Sequence, residues 1–264
     1  MKNILYFIVV GLGLLTACKK GTLVENTTYE KLEYADQKYT YLKILNVTPG
    51  SPAVNFYMDG AKFTSQYSTL GIENAGYAYN GIFPDLGYAV TTPGPHILTA
   101  KVIPTATADA NLQVFNQSIT PMAGKYYTIF TTGVYTSVTK TIPSTIIVED
   151  VKPAIDTSKI FVRVANMYNG SANLDVVRDV VTGPSIATNV AYGTISGWKE
   201  VPGVTGGLTN AVKVFFNLSS TTTPLIAAGS TLTLTKGRAY TIYTRGVLGN
   251  ALYPLSVTFY TTFY

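Results

Sequence analysis

The stretch GKYYTIFTTG, residues 124–133, decides the fold of this chain because it recurs as GRAYTIYTRG at residues 237–246. The two copies share Gly, Tyr, Thr, Ile, Thr and Gly in register. Two matching stretches lie upstream, LNVTPGSPAVNFY at residues 45–57 and ANMYNGSANLDVV at residues 165–177. In these stretches Asn46, Gly50 and Ser51 fall on Asn166, Gly170 and Ser171. A repeat period this long predicts two tandem domains rather than a solenoid.

Apolar and polar residues alternate within each copy. Leu42 and Ile44 share one face of a predicted strand, and Lys43 points to the other face. The second copy matches them with Val162, Val164 and Arg163. We therefore expect strands with one buried face and one solvent-exposed face.

The rest of each copy also indicates short strands. Asp59-Gly60 supplies the positive φ angles of a tight hairpin turn. Further strands are expected near residues 86–91, 96–103, 112–117, 126–132 and 144–148. The chain contains 20 tyrosines and 11 phenylalanines, which suit a pleated, half-buried surface. Seven or eight strands in each copy predict an all-β fold of two β-sandwiches.

The domain organisation follows from the repeat and from the N-terminal sequence. The predicted segments are a signal peptide at residues 1–17, a lipidated tether at 18–38, a first sandwich at 39–150, a linker at 151–158 and a second sandwich at 159–264.

The N-terminal segment has the order of a secretory signal: basic Lys2, an apolar run, then small residues. Its end, Leu15-Thr16-Ala17-Cys18, resembles the lipobox of bacterial lipoprotein precursors. The resemblance implies cleavage before Cys18 and lipidation of that cysteine, so the protein would be attached to a membrane through a lipid anchor. The alternative, an uncleaved membrane helix, needs about 20 apolar residues, and this run is shorter.

Composition excludes several classes of function. The chain has a net charge of +5, and only 12% of its residues are charged. No basic cluster is present, which disfavours nucleic-acid binding. Cys18 is the only cysteine, so no disulfide can form within the chain.

Part of each copy resembles an uncharacterised immunoglobulin-like domain family. VTPGSPAVNFYMDG, residues 47–60, matches its opening at Pro49, Pro52, Val54, Tyr57, Asp59 and Gly60. YGTISGWKEVPG, residues 192–203, resembles a later segment of the same family. The family occurs in tandem in envelope proteins, including many lipoproteins of Bacteroidota. The resemblance implies two immunoglobulin-like sandwiches and no activity.

Catalytic and metal-binding signals are weak. His96 is the only histidine, so neither a cofactor nor a metal site is expected, and no catalytic residue is assigned. A carbohydrate-active hydrolase remains an alternative because that chemistry needs only two carboxylates. The closest pair, Glu149-Asp150, consists of neighbours that point in opposite directions on an extended chain, next to the linker. Asp175 and Asp179 flank a predicted turn.

Two aromatic residues are the candidate binding platform. Trp198, the only tryptophan, aligns with Tyr88 of the first copy, and each follows a glycine. Core packing and stacking against a sugar both explain a large ring at this position.

In the C-terminal sequence LSVTFYTTFY, residues 255–264, apolar and polar residues alternate as in the closing strand of an outer-membrane barrel. A component of such a barrel is therefore a further alternative for the function of the protein. We interpret this stretch instead as the last strand of the second sandwich, the counterpart of residues 145–148.

The sequence therefore predicts a non-enzymatic lipoprotein of the cell envelope. Its sandwiches would act as a structural or binding module for a glycan or for an envelope or surface protein. Lys19, Lys20 and Gly21 follow the lipidated cysteine where surface-exported lipoproteins have acidic residues, which favours the periplasmic face of the outer membrane.

Overall fold

The computed structural model describes residues 31–202 and 209–262. The predicted signal peptide, the lipobox, Cys18 and the tether up to residue 30 lie outside the described residues. The described ranges contain 18 strands and no helix. None of their segments forms a helix long and apolar enough to span a membrane.

The first sandwich is built from two sheets. Its strands are β1 (Thr40–Asn46), β2 (Val54–Met58), β3 (Ala61–Lys62), β4 (Gly81–Phe83), β5 (Ala89–Thr91), β6 (His96–Val102), β7 (Gln113–Ile119), β8 (Tyr126–Thr132) and β9 (Ser144–Glu149). One sheet has the order β4-β1-β8-β9, with β5 also paired to β1, and the other has the order β3-β2-β6-β7. Apolar side chains from both sheets fill the space between them.

The second sandwich repeats this arrangement. Its strands are β10 (Lys159–Asn169), β11 (Leu174–Arg178), β12 (Ser185–Val190), β13 (Thr194–Ile195), β14 (Lys199–Pro202), β15 (Thr209–Leu218), β16 (Ser230–Thr235), β17 (Ala239–Val247) and β18 (Ser256–Thr262). One sheet has the order β13-β10-β17-β18, with β14 also paired to β10, and the other has the order β12-β11-β15-β16. The prediction of an all-β chain with two tandem sandwiches is confirmed.

Nine strands are found in the described part of each copy, whereas seven or eight were expected. The difference lies at the sheet edge beside β1 and β10. Two short strands, rather than one long strand, pair with each of them: β4 and β5 with β1, and β13 and β14 with β10. Strands of two to four residues are too short to show an alternating pattern in the sequence.

The residues shared by the two copies have the same structural task in each. Asn46 is fully buried and donates through Nδ2 to the Ser51 hydroxyl at 3.0 Å, while its Oδ1 accepts from Thr131 at 3.1 Å. Asn166 makes the equivalent bonds to Ser171 and Thr244, at 3.1 and 3.0 Å. The buried amide therefore ties the turn after the first strand to the parallel neighbouring strand.

Shared glycines mark positions where the backbone requires a positive φ angle. Gly50 and Gly170 both have φ of 79°, and Gly124 and Gly237 have φ of 69° and 72°. These values are strained for residues that carry a Cβ atom. The repeat is therefore visible in the sequence because the same turns recur.

The expectation of a solvent-exposed face on β1 and β10 is wrong. Lys43 is fully buried and Arg163 is 4% exposed. The face that carries them packs against the other sandwich, through an apolar cluster that we call the inter-sandwich interface. Its buried members are Leu45, Val47, Phe130, Ala165, Met167, Tyr243 and Tyr260. Both faces of β1 and β10 are therefore buried, because each sandwich covers the outer face of the other.

The C-terminal strand lies where it was expected. β18 pairs antiparallel with β17, as β9 pairs with β8 in the first copy. It is the last strand of the second sandwich.

Candidate functional site

Tyr88 and Trp198 occupy equivalent places at the edges of the two facing sheets. Each directly precedes a short strand, β5 or β14, and each ring is partly buried. Lys43 Nζ lies 5.4 Å from the centre of the Tyr88 ring, and Arg163 Cζ lies 4.6 Å from the centre of the Trp198 ring. The cation and the ring are at matching repeat positions in both copies. The two halves therefore contain the same cation–π pair.

Asp150 joins these two pairs. Its side chain is fully buried and forms an ion pair with the Arg163 guanidinium through Oδ1. Its Oδ2 accepts hydrogen bonds from the Tyr88 hydroxyl at 2.8 Å and from the Thr128 hydroxyl at 2.5 Å. A buried carboxylate is tolerated only when it is paired and hydrogen-bonded, and both oxygens of Asp150 meet that condition.

The second-copy side of the cluster is equally engaged. Arg163 donates through Nε to the Thr241 hydroxyl at 2.9 Å. The Trp198 indole donates through Nε1 to the carbonyl of Val151 at 2.8 Å. The Arg163 guanidinium lies over the Trp198 ring, so this partly buried ring is already engaged by internal contacts.

Lys43 is the buried cation of the first copy. Its Nζ donates to the carbonyl of Pro84 at 2.7 Å and lies 5.7 Å from the centre of the Tyr260 ring. Burial lowers the pKa of Lys43 to about 8, although Asp150 and Asp85 oppose the shift. The ammonium is thus poised to lose its proton just above neutral pH.

Tyr260 closes the cluster from β18. Its hydroxyl donates to Thr128 at 3.3 Å. Burial raises the pKa of Tyr260, and the Asp150 carboxylate adds to the shift. The phenol therefore stays neutral where a solvent-exposed tyrosine would ionise.

Two grooves flank this cluster. The first, the interface groove, has a volume of about 320 Å³ and is lined by residues from both sandwiches, including Asn80, Ile82, Asp85, Tyr243, Phe259 and Tyr260. The second, of about 340 Å³, is lined by Tyr34, Gln37, Lys125, Tyr126, Glu149 and Lys152, among others. Grooves of this size accommodate small ligands.

The adjacent acids named in the sequence, Glu149 and Asp150, both line the second groove. Glu149 is paired with Lys125 at 2.8 Å, and Asp150 is held by the contacts described above. Both carboxylates are therefore engaged by internal partners.

The other acids singled out in the sequence hold turns. Asp175 accepts the backbone N–H groups of Asn189 and Ser220 at 2.7 and 2.8 Å. Asp179 pairs with the neighbouring Arg178 at 2.5 Å. No group of three or more His, Cys, Asp or Glu side chains in residues 31–202 and 209–262 could hold a metal ion.

His96 anchors the Asp59-Gly60 turn. Its Nδ1 lies 2.6 Å from Asp59 Oδ2, and its Nε2 lies 2.8 Å from the carbonyl oxygen of Thr92. Partial burial lowers the pKa of His96, but the bonds to Asp59 and Thr92 outweigh that effect and leave it raised. The backbone N–H of Ile97 and then His96 lower the pKa of Asp59.

The sequence aligned Tyr88 with Trp198 as equivalent residues of the two copies, but it did not identify Asp150 as the residue that links their surroundings. One signal was available. Lys43 and Arg163 are charged residues at equivalent strand positions in a chain that is only 12% charged. Because both copies keep a cation there, a shared structural role could have been inferred.

The chain matches no protein-family profile and no curated protein sequence. Among solved structures it is similar to a family 26 carbohydrate-binding module of Eubacterium rectale Amy13K, solved in complex with maltoheptaose. The identity is 13%, the match covers 86% of this chain and 98% of that one, and the TM-score is 0.21.

Two candidate cell adhesion proteins are also similar. The one from Bacteroides fragilis is 9% identical, covers 85% of this chain and 98% of its own, and has a TM-score of 0.19. The one from Bacteroides eggerthii is 9% identical, covers 88% and 98%, and has a TM-score of 0.17. Likenesses at these scores carry no argument about function.

Proposed function

We propose that this protein is a non-enzymatic lipoprotein of the cell envelope that displays its two sandwiches as one binding or structural module. The anchor is Cys18, and its support is the lipobox formed with Leu15, Thr16 and Ala17. Two or more acyl chains on that residue would hold the protein at the membrane without a spanning helix.

The observation that carries the proposed display role is the buried inter-sandwich interface. Asp150 and Arg163 are sealed in it beside an apolar cluster that includes Phe130 and Tyr243. Separating the sandwiches would expose this cluster and an ion pair together. The interface therefore favours a rigid module that holds its ligand surfaces at a fixed mutual geometry.

The proposed partners are a glycan or an envelope or surface protein. Tyr88 and Trp198 remain the candidate aromatic platform, because both residues are only partly buried. Trp198 is the only tryptophan, so its fluorescence reports directly on contacts at this place. We expect the emission to change on addition of envelope glycan fragments. We also expect calorimetry to show that Trp198→Phe binds the same fragments more weakly.

Anchoring and location are tested together by protease treatment of intact cells that carry a C-terminally tagged copy. We expect the tag to be protected until the outer membrane is breached, since the residues after Cys18 favour the periplasmic face. Cys18→Ala should release the protein from the membrane fraction. If the Cys18→Ala protein fractionates as the original does, the lipoprotein proposal is wrong.

A further inference from the structure

The second groove contains a column of three tyrosine rings that ends at the surface. The Tyr34 ring stacks on the Tyr126 ring, with the centres 5.5 Å apart and the planes 17° from parallel. Tyr126 in turn stacks on Tyr41, at 4.2 Å and 12°. Tyr126 and Tyr41 are buried, whereas Tyr34 is 55% exposed and lines the groove. The column therefore presents one accessible ring, which two buried rings support from behind.

The segment that carries Tyr34 is fixed to this column. The backbone N–H of Ala35 donates to the Tyr126 hydroxyl at 3.3 Å, and the backbone N–H of Asp36 donates to the Tyr41 hydroxyl at 3.2 Å. The accessible ring is thereby held in place before a ligand arrives. Binding on such a preorganised ring loses little conformational entropy.

The backbone turn that precedes β1 recurs before β10. Asp36 Oδ1 accepts from the backbone N–H of Lys38 at 2.9 Å, and Asp156 Oδ1 accepts from that of Ser158 at 2.8 Å. The two segments therefore occupy equivalent positions in the two copies, and their side chains can be compared directly.

The second copy does not have the aromatic column. At the repeat positions of Tyr34 and Tyr126 it has Ala154 and Ala239. The groove at that place, lined by Ala239 among others, has a volume of about 160 Å³, against about 340 Å³ for the second groove. A sandwich of this type thus folds without the column, so the fold alone does not explain why the two tyrosines are present.

The second groove also carries a positive charge without an acidic partner. Both acids that line it are already engaged, Glu149 by Lys125 and Asp150 by Arg163. Lys152 lines the groove as well, and it has no ion pair with any residue that the structure describes. Its charge is therefore available to a ligand in the groove.

Lys152 lies over the accessible ring of the column. Its Nζ is 4.6 Å from the centre of the Tyr34 ring, and the side chain is exposed. A cation–π contact at an exposed site is weak, so an ammonium on a flexible stem can leave the ring when a ligand offers it a negative charge. The ligand that fits has a face that packs on the ring and an anion beside that face.

We propose that Tyr34 and Lys152 form the binding site for an anionic saccharide in the second groove. The apolar face of a sugar ring would pack on the tyrosine, and a carboxylate or sulfate on that sugar would pair with the ammonium. Gln37, which also lines the groove, adds an amide for the sugar hydroxyls. The volume of the groove is that of a small-ligand site. This inference rests on the proposed glycan-binding role and not on the lipid anchor.

The test is calorimetric titration of the full chain in detergent with trigalacturonate and with its methyl ester, which keeps the rings but has no charge. We expect trigalacturonate to bind about fivefold more tightly, because only it forms an ion pair with Lys152. Lys152→Gln should abolish this preference and leave the affinity for the ester unchanged. Tyr34→Ala should weaken the binding of both by about tenfold, whereas Tyr34→Phe, which keeps the ring, should bind both as the original chain does.

Lys101→Gln is the matched control. Lys101 Nζ also lies over a tyrosine ring, 5.1 Å from the centre of Tyr57, but on the other sheet of the first sandwich. This substitution should change neither affinity. Because an ammonium pairs with a carboxylate and with a sulfate alike, a sulfated galactose trimer is titrated as well. The charged saccharide that binds more tightly identifies the anion.

Three outcomes would overturn the proposal: no binding of any of these saccharides, neither charged saccharide binding more tightly than the ester, or a preference for charge that survives Lys152→Gln. The variants leave Cys18 and Trp198 unchanged. If Trp198 emission responds to envelope glycan fragments while the trisaccharides do not bind, only the assignment of the second groove fails. Failure of the fractionation and fluorescence tests is therefore distinguishable from failure of this site.

Discussion

Asp150 and Arg163, 13 residues apart in the chain, form an ion pair that links the end of the first sandwich to the first strand of the second. Their side chains are 0% and 4% exposed. Buried charges do not by themselves stabilise a protein, because desolvation offsets their attraction. Their consequence here is specificity, since each charge is costly unless the two sandwiches meet in one arrangement.

Asp150→Asn should lower the free energy of unfolding by about 3 kcal/mol or more, because it leaves the Arg163 charge buried and unpaired. Urea unfolding followed by Trp198 fluorescence measures the change. Glu200→Gln is the matched control. It removes an exposed partner of Lys159 and should cost less than about 1 kcal/mol.

Replacing both charged residues should lower the free energy of unfolding less than removing one charge does. We expect Asp150→Leu combined with Arg163→Met to be more stable than Asp150→Asn alone, because no unpaired charge remains. A double variant as unstable as the sum of the single variants would contradict this explanation of the pair.

The inter-sandwich interface should make residues 34–264 unfold in a single transition. Phe130→Ala and Phe216→Ala each remove a buried ring and should each cost about 3 to 5 kcal/mol. Phe130 lies in the interface and Phe216 in the core of the second sandwich. We therefore expect calorimetry to resolve two transitions only for Phe130→Ala. Two transitions in the unaltered chain would refute the rigid module.

Lys43 should make stability rise with pH above 8. Its pKa is about 8 in the folded protein, against about 10.5 when unfolded, so between these values the unfolded state binds more protons. From pH 8 to 9.5 the free energy of unfolding should grow by about 1.5 kcal/mol from this residue. Above pH 10, tyrosines with raised pKa values, such as Tyr260, oppose the trend.

Lys43→Met is the comparison for this effect, because it keeps the length of the apolar stem without the ammonium. The difference in unfolding free energy between the two proteins should shrink or reverse in favour of the lysine as pH rises from 8 to 9.5. A difference that does not vary with pH would show that Lys43 keeps its ordinary pKa.

His96 should titrate above its ordinary pKa of about 6.5. As the only histidine it gives a single set of imidazole NMR signals in an untagged chain. The stability contributed by its raised pKa is present below about pH 6.5 and disappears as pH rises through the folded value. The stability that comes from the lowered pKa of Asp59 is present above about pH 4 and is lost as pH falls through the folded value.

Asp59→Asn removes the carboxylate that holds His96 and should bring the imidazole midpoint down. Asp179→Asn, an acid on a different turn in the second sandwich, should leave the midpoint where it is. A midpoint insensitive to Asp59→Asn would mean that the short contact between Asp59 and His96 does not persist in solution.

The internal repeat made much of the architecture predictable. Gly50 and Gly170, like Gly124 and Gly237, are needed where the backbone takes positive φ values, and Asn46 and Asn166 tie the same turn in each copy. These requirements are local, so they select the same residues in both copies. Aligning the second copy with the first therefore reveals them. The alternating pattern likewise placed the longer strands.

What the sequence alone determined is thus the positions of the longer strands, the two tandem sandwiches and the equivalence of Tyr88 with Trp198. What only the tertiary structure decided is the fate of Lys43 and Arg163. An alternating pattern identifies two faces of a strand but not what covers the second one. The cover here is the facing sheet of the other sandwich. The burial of both cations and the link between the two cation–π pairs at Asp150 follow from that long-range contact.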